Sequence, residues 1–460
     1  MPLRDYVFIA STRSLCPECL ANIPAKIIKK NGSIYLLKRC PSHGETEEIL
    51  EEDAQYYLNR LQYEKPGNKI CPQTNYRKGC PHDCGLCPDH EQHTCIGLIE
   101  ITEKCNLGCP VCYASSGQGK SLNLETIEKM MDFYIASEGG QGEILQISGG
   151  EPTIHDDILP IIEMARSKPF KYVMLNTNGI RIAQDEEFAK ALGQFKGNFE
   201  IYLQFDSLDD ANYLPIRGKR MLEIKKQALE NLAKYEVPVT LVATIARGIN
   251  DSELGQIIHF GMNTPYVRGI NFQPLAFFGR LQPSHRTKDR LTLTGILKLI
   301  EKQTNGMLTI KDFVPLPCDT DRVSISYLIR SQKGEFMPVT KILKVENYLE
   351  VIDNTLVFKA DELMSAAKQN LLPTSLCNCL DFFSNLKSII PSNLQKMSFE
   401  NKLKFVTENT FRLTITSFID AYNFEEHAMK KECVHMITPD LRRIPFSAFN
   451  TIHRHRYQNA

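Results

Sequence analysis

Between residues 97 and 274, short apolar runs alternate with stretches of helical periodicity, and that alternation restricts the chain to a parallel sheet with helical crossovers. Residues 97–102, 144–148, 172–176, 199–205, 239–245 and 270–274 read as strands. Residues 124–136, 158–167, 186–192, 219–234 and 252–262 read as the helices between them. Crossovers between parallel strands are right-handed, and six such units make a partial barrel whose site lies at the carboxyl ends of the strands, as in complete barrels. The expected fold class is therefore α/β: a partial (β/α)6 barrel over residues 97–283. Two cysteine-rich segments precede it, residues 1–65 and 66–96, and a mixed α+β accessory region, residues 284–460, follows it.

The first strand runs into Cys105, Cys109 and Cys112, a C-x3-C-x2-C spacing. Gly108 and Pro110 favour an irregular loop there over a helix. Electron-transfer clusters take four cysteines, so three thiolates around an iron-sulfur cube leave one iron for another ligand, and S-adenosylmethionine (SAM) is the ligand such a triad awaits. Closely spaced cysteines also build zinc knuckles, and Cys80, Cys84 and Cys87 repeat the same spacing, so spacing alone does not choose between the two groups. Position does: Cys105 follows strand one, whereas Cys80 precedes it.

The later strand ends carry polar groups in order. Ser148-Gly149-Gly150-Glu151-Pro152 follows strand two, where glycines let backbone approach a ligand closely. Asn176 and Asn178 follow strand three and offer amides to a ribose or carboxylate. Gln204, Asp206 and Ser207 end strand four and suit ribose hydroxyls or a carboxylate. Arg217 suits the SAM carboxylate by a bidentate contact. Singly these are turns and surface charges. Together they resemble the radical SAM superfamily, with Gly149 to Pro152 in the place of its GGEP motif.

Fifteen clustered cysteines in 460 residues point to metal ligands in a reducing compartment rather than disulfides. Cys16, Cys19, Cys40 and His43 bracket a hairpin that turns at Asn31-Gly32, the two-residue turn hairpins prefer. Such knuckles make a closed tetrahedral site for zinc or a single iron, with a structural role. Cys80, Cys84, Cys87 and Cys95, with Cys71 upstream, fit a fully ligated auxiliary four-iron cluster. His82, His90 or His93 would instead complete a zinc site there. Cys318, Cys377, Cys379 and Cys433 are scattered and read either as a second cluster or as buried thiols. His435, beside Cys433, reads as a ligand or a structural histidine.

A formal charge of zero argues against non-specific nucleic-acid binding. Neither a signal segment nor an apolar run long enough to span a bilayer is evident, so the expected location is cytoplasmic or peripheral to a membrane's inner face. The 42% hydrophobic content suffices for a large core.

The Cys16 to His43 ribbon, the block Gly79 to Cys95 before the triad, and the tail motifs Asn423-Phe424, Cys433-Val434-His435, Thr438-Pro439-Asp440 and Ile444-Pro445-Phe446 carry a narrower likeness. They resemble a group containing the archaeal tetraether lipid synthase and the 7,8-dihydro-6-hydroxymethylpterin dimethyltransferases. Family members carry cysteines near the positions of Asp319, Glu432 and Ser447, so this chain departs from them there. The likeness implies reductive SAM cleavage by an electron from a flavodoxin or ferredoxin. A 5′-deoxyadenosyl radical then takes hydrogen from an sp3 carbon, chemistry the cofactor supplies. The main expectation is carbon-carbon bond formation on a lipid chain. Methylation of a reduced pterin and modification of a peptide are the enzymatic alternatives, and a zinc-stabilised binding protein without catalysis is the reading from another class. A lipid predicts a long apolar channel, and a pterin predicts a compact pocket with a few polar contacts.

Overall fold

The computed structural model describes residues 5–67, 72–281, 290–331, 334–341 and 408–458, with a few isolated positions between the last two spans. Cys71, Cys377 and Cys379 lie outside the described residues.

The N-terminal segment is a four-stranded antiparallel sheet in the order β1 (Val7–Leu15), β2 (Asn22–Lys30), β3 (Ser33–Cys40), β4 (Gly44–Glu51). Asn31 and Gly32 join β2 to β3 with φ of 52° and 81°. Two consecutive left-handed residues match the strand twist, which is why Asn-Gly stands there. Period-two burial along β3 turns Ile34 and Leu36 onto a small core with Ile27, Leu50 and Tyr57. The short helix α1 (Ala54–Asn59) follows, capped by Asp53, whose carboxylate accepts from the Gln55 and Tyr56 amides.

The second sheet has twelve strands. Its parallel centre is β5 (Ile96–Glu100), β6 (Gly142–Ser148), β7 (Phe170–Thr177), β8 (Phe199–Gln204), β9 (Val239–Ile245) and β10 (Val267–Pro274). Helices α2 (Leu124–Ser137), α3 (Ile158–Ser167), α4 (Ile180–Gln184), α5 (Glu186–Leu192), α6 (Tyr213–Arg217), α7 (Leu222–Lys234), α8 (Leu254–Asn263) and α9 (Leu293–Gln303) form the connections and their continuation. Asn123 caps α2 and Asp185 caps α5, each accepting from an amide three residues on. One apolar cluster, including Ile127, Leu145, Ile161, Leu203 and Leu241, seals helices to sheet.

The sheet does not end at β10. It continues through β11 (Val314–Pro315), β12 (Val323–Arg330) and β13 (Phe336–Pro338), and through β14 (Thr410–Thr416), β15 (Val434–Ile437) and β16 (Arg443–Pro445). β14 lies parallel to β10, and β15 lies parallel to β5 on the opposite flank. The region expected to be a separate accessory unit thus supplies both margins of the barrel sheet. Its strands are separated by long insertions rather than by regular helices, so no strand-helix alternation marks them in the sequence.

One cavity of about 250 Å³ is lined by residues from β5 to β10 and from β12, β14 and β15. Neighbouring strands sit about 4.8 Å apart. A flat sheet of that breadth would span roughly 40 Å by the same spacing, so nine strands reach one cavity only because the sheet curls around it. No helix among the described residues is long and apolar enough to cross a membrane.

Candidate active site and metal centres

The carboxyl end of β5 delivers the cluster loop to the cavity mouth, where Cys105, Cys109 and Cys112 all join its lining. Three backbone contacts fix the loop. The Gly150 and Glu151 amides donate to Thr102 O (2.7 Å) and Lys104 O (2.9 Å), and the Arg280 amide donates to Cys112 O (3.0 Å). A side chain at Gly149, whose φ is 145°, would meet Thr102 O at 2.4 Å, and one at Gly150 would meet Lys104 O at 2.2 Å. These glycines, expected to bring backbone close to a ligand, bring the loop after β6 close to the cysteine loop instead. They line the cavity as well. Gly279 packs in the same way against Cys112 O, and the Arg280 guanidinium donates to Cys109 O at 3.0 Å. Sequence reasoning missed this clamp, although a Gly-Arg pair just past strand six is a strand-end signal of the same kind as Gly149-Gly150.

The polar strand ends divide into scaffold and free groups. Glu151 is buried and accepts from Thr153 N (3.1 Å), Thr177 Oγ1 (2.7 Å) and Asn178 N (2.7 Å), tying β6 to β7; burial pushes its carboxyl up. Asn178 donates to Asn106 Oδ1 (2.7 Å) and accepts from Ile180 N (3.0 Å), so it steadies the cysteine loop and the start of α4. Asn176 accepts from Gln146 Nε2 at 2.6 Å and donates to Ser148 Oγ at 3.3 Å.

Arg217 was expected at the SAM carboxylate and Asp206 at the ribose or carboxylate. They hold each other: Arg217 Nε and Nη2 each donate to an Asp206 oxygen at 2.7 Å, both side chains buried. Thr244 N and Oγ1 complete the set at 3.0 and 3.1 Å. The guanidinium also faces Cys109, where it opposes the rise that burial imposes on that thiol. Ser207, another expected ribose contact, is turned away; it donates to Asp209 O and to the Glu253 carboxylate. Neither Asp206 nor Ser207 is in the cavity lining, whereas Arg217 is.

Gln204 differs. Its Oε1 is buried without a hydrogen-bond partner among the described residues, and so is Asn271 Oδ1 on β10; both side chains line the cavity. The Asn271 amide donates to Tyr202 Oη. Asn271 was not legible in sequence, since an asparagine inside a strand carries no motif. An unmet buried acceptor costs about 1–3 kcal/mol, so two beside one cavity mark where a bound molecule with N–H donors belongs.

Cysteine spacing separates the metal groups. Among the described residues, the ligand atoms of Cys16, Cys19, Cys40 and His43 lie within 4.8 Å of one another, as do those of Cys95, Cys318 and Cys433, and those of His93, Cys95 and Glu143. The ribbon set is the one expected. His43 Nδ1 is 3.4 Å from Cys16 Sγ and 3.5 Å from Cys40 Sγ. The Ser42 amide and the His43 ring pull the Cys40 thiol down to about 6, ready to ligate. Cys105, Cys109 and Cys112 are set wider, as a cube rather than one ion requires. Burial pushes Cys105 up to about 11, so without metal this thiol keeps its proton.

Cys95 departs from its expected group. Cys80 and Cys84 hydrogen-bond to each other and sit with Phe278 and Phe446 in a second apolar cluster, with Cys87 close enough to feel the Cys80 charge. Cys95 instead joins Cys318 and Cys433 in a separate cluster. Of the other expected ligands, His435 places Nδ1 2.9 Å from Thr94 Oγ1 and Nε2 3.1 Å from His90 Nε2. At the positions of departure, Ser447 donates through N and Oγ to the Glu432 carboxylate, Oγ at 2.7 Å, and buried Asp319 accepts from Arg322 N at 3.1 Å. Ser447 and Glu432 satisfy each other, and Asp319 satisfies a neighbouring amide, at the positions where the resemblance leads one to expect thiols.

Residues 99–261 match the radical SAM superfamily, and residues 8–52 match the HMPTM N-terminal zinc ribbon domain. The 7,8-dihydro-6-hydroxymethylpterin dimethyltransferase of Methanocaldococcus jannaschii is 35% identical over 480 residues, covering 96% of this chain and 94% of its own. A probable GTP 3′,8-cyclase of Thermococcus kodakarensis is 32% identical over 170 residues, 36% of this chain and 52% of its own. Among solved structures, Streptococcus suis SuiB bound to the precursor peptide SuiA superposes with a TM-score of 0.40 and 12% identity over 64% of this chain and 69% of that one.

Proposed function

Because the chain belongs to the radical SAM superfamily, and within it to the family of the Methanocaldococcus jannaschii pterin dimethyltransferase, we propose that it adds one-carbon groups to a reduced pterin. It is a radical SAM enzyme, which implies a four-iron cluster and SAM. When bound, that pair supplies a one-electron cleavage whose carbon radical takes hydrogen from unactivated carbon.

The residues present suit these groups. Cys105, Cys109 and Cys112 offer three sulfurs on a loop locked by Gly149, Gly150 and Gly279, and this loop opens onto the cavity. Asn178 and Arg280 hold the loop, while the Arg217 charge beside Cys109 favours its thiolate. The curled sheet would shield a carbon held in the cavity from bulk water.

The observation that carries the substrate reading is the pair of unmet acceptors, Gln204 Oε1 and Asn271 Oδ1, in a cavity of about 250 Å³. A pterin ring presents ring N–H and exocyclic amino donors to such oxygens, as SAM does through its adenine amino group and ammonium, whereas a lipid chain presents none. The lipid reading wanted a long apolar channel; this wall combines apolar residues such as Leu98, Met174 and Phe278 with Gln146, Tyr202, Gln204, Asn271 and Gln273, the mix a compact pocket with a few polar contacts has. An external one-electron donor completes the system.

The test is anaerobic turnover of reconstituted protein with SAM, dithionite and either reduced 6-hydroxymethylpterin or an archaeal diether lipid. Pterin-dependent 5′-deoxyadenosine, absent from the Cys105→Ala, Cys109→Ala, Cys112→Ala variant, with a pterin product heavier by methyl increments, is the expected result. Deoxyadenosine formation driven by the lipid and indifferent to the pterin would overturn it.

A further inference from the structure

Three cysteines from distant parts of the chain meet where the barrel sheet closes. Cys95 immediately precedes β5, Cys433 immediately precedes β15, and Cys318 lies in the link from β11 to β12. All three are fully buried. Along the sheet, β12 and β15 are far apart, with β14, β10, β9, β8, β7, β6 and β5 between them. Eight steps of about 4.8 Å would separate them by roughly 38 Å were the sheet flat. Yet the sulfurs of Cys318 and Cys433 lie within 4.8 Å of each other and of Cys95. The three thiols therefore stand at the seam where the two margins of the curled sheet meet.

Their spacing names the kind of ion. Ligands of one tetrahedral zinc, with Zn–S near 2.3 Å and Zn–N near 2.0 Å, lie about 3.8 Å apart for sulfur to sulfur and about 3.5 Å for sulfur to nitrogen. Ligands of an iron-sulfur cube ride on separate irons and spread to roughly 6 Å. The seam sulfurs, within 4.8 Å, fall in the first class, as the ribbon ligands do. Beside them, His93 Nε2 is 3.5 Å from Cys95 Sγ, and His93 and Glu143 each place a ligand atom within 4.8 Å of Cys95 and of each other. Glu143 Oε1 is 3.9 Å from the same His93 nitrogen, so the two side chains compete for one position next to Cys95.

We propose that Cys95, Cys318 and Cys433 hold a single metal ion, zinc by its donor set, that staples the β12 margin of the sheet to the β5–β15 margin, its fourth ligand coming from the His93–Glu143 pair beside Cys95. Three thiolates and one further protein ligand form a closed structural set, and zinc has no redox chemistry, so the ion takes no part in electron transfer. Leu316, Val323 and Ile325 share the apolar cluster of these cysteines and also line the cavity. The ion thus sets the position of the cavity wall opposite the cysteine loop, and its loss loosens that wall. The site is independent of the substrate reading, because none of its ligands is in the cavity lining.

The experiment is metal and sulfide analysis of the anaerobically purified full chain, in wild type, Cys318→Ser, Cys433→Ser and the ribbon variant Cys19→Ser. Wild type is expected to carry two zinc ions. Each single variant keeps one, and Cys318→Ser combined with Cys433→Ser still keeps one, since both ligate the same ion. Iron and sulfide stay at the wild-type level throughout. Loss of about four irons with matching sulfide in Cys318→Ser would replace the proposal with a cube, and an unchanged metal count would abolish the site. If the seam variants are insoluble, cobalt substitution of Cys19→Ser decides. One equivalent of thiolate-to-cobalt absorption remaining in that variant supports the seam ion, and none refutes it.

Discussion

Removing one member of the Asp206–Arg217 pair tests whether this arginine is scaffold or ligand. Two 2.7 Å hydrogen bonds join the buried groups, and charges about 4 Å apart attract by about 4 kcal/mol at an effective dielectric of 20. Desolvation of both ions cancels most of that gain, whereas removing one partner strands the other and costs about 3–5 kcal/mol. Asp206→Asn keeps the shape and the acceptor for Thr244 N but leaves the guanidinium without a counter-charge; about 3 kcal/mol is expected. Arg217→Met leaves a carboxylate with that amide as its remaining donor and costs a similar amount, about 3–4 kcal/mol. The double variant should lose about 3 kcal/mol rather than 6–7, a coupling of about 3 kcal/mol or more. A chain of this size is not a two-state unit, so the assay is hydrogen exchange of the β8 and β9 amides, which reads the opening free energy of the segment holding the pair. The same variants are then assayed for SAM. A positioning role predicts that Arg217→Met lowers kcat while KM for SAM moves by less than about threefold, since a lost charged hydrogen bond to SAM would itself cost about 1.5–3 kcal/mol. Additivity of the two substitutions within about 0.5 kcal/mol, or a rise in KM of about tenfold or more with unchanged exchange, would refute the reasoning.

Gly150→Ala would drive a methyl to 2.2 Å from Lys104 O, and the cysteine loop must shift, costing about 1–3 kcal/mol and the iron of the Cys105 site. Gly108→Ala, with open space at its Cβ, should keep full iron and sulfide, and equal loss in both variants would dismiss the clamp. Lys225 is buried with Nζ 2.5 Å from Asn178 O, and burial pulls it down to about 8. From pH 8 to about 10.5 the unfolded chain therefore binds the extra proton, so stability rises with pH by up to roughly 3 kcal/mol. Lys225→Met should flatten that slope relative to wild type, which pH-dependent denaturation measures. In the ribbon, Cys16→Ser should release one zinc and expose residues 7–51 to protease. The release should be felt as far as the C-terminal region, because Lys38 Nζ donates to Ala421 O at 3.0 Å and also to Tyr422 O. Unchanged proteolysis would argue that zinc does not hold the ribbon together.

What this sequence determined by itself is local. The alternation from residue 97 to 274 survives as β5 to β10 with helices between, because periodicities of two and 3.6 are written in neighbouring residues. The Asn31-Gly32 turn, the ribbon ligands and the Cys105 loop are likewise short-range patterns whose chemistry is carried by spacing. Tertiary structure alone decided which polar groups face the cavity. Gln204, Asp206 and Arg217 are equally polar in sequence, yet Asp206 and Arg217 neutralise each other because burying either charge alone is too costly, while the Gln204 oxygen is left unmet at the cavity wall. Only the fold could add β14 and β15 to opposite flanks of the sheet, or move Cys95 from its sequence neighbours to Cys318 and Cys433. Those pairings join residues more than a hundred positions apart, where no periodicity reaches and where the curl of the sheet sets the distances.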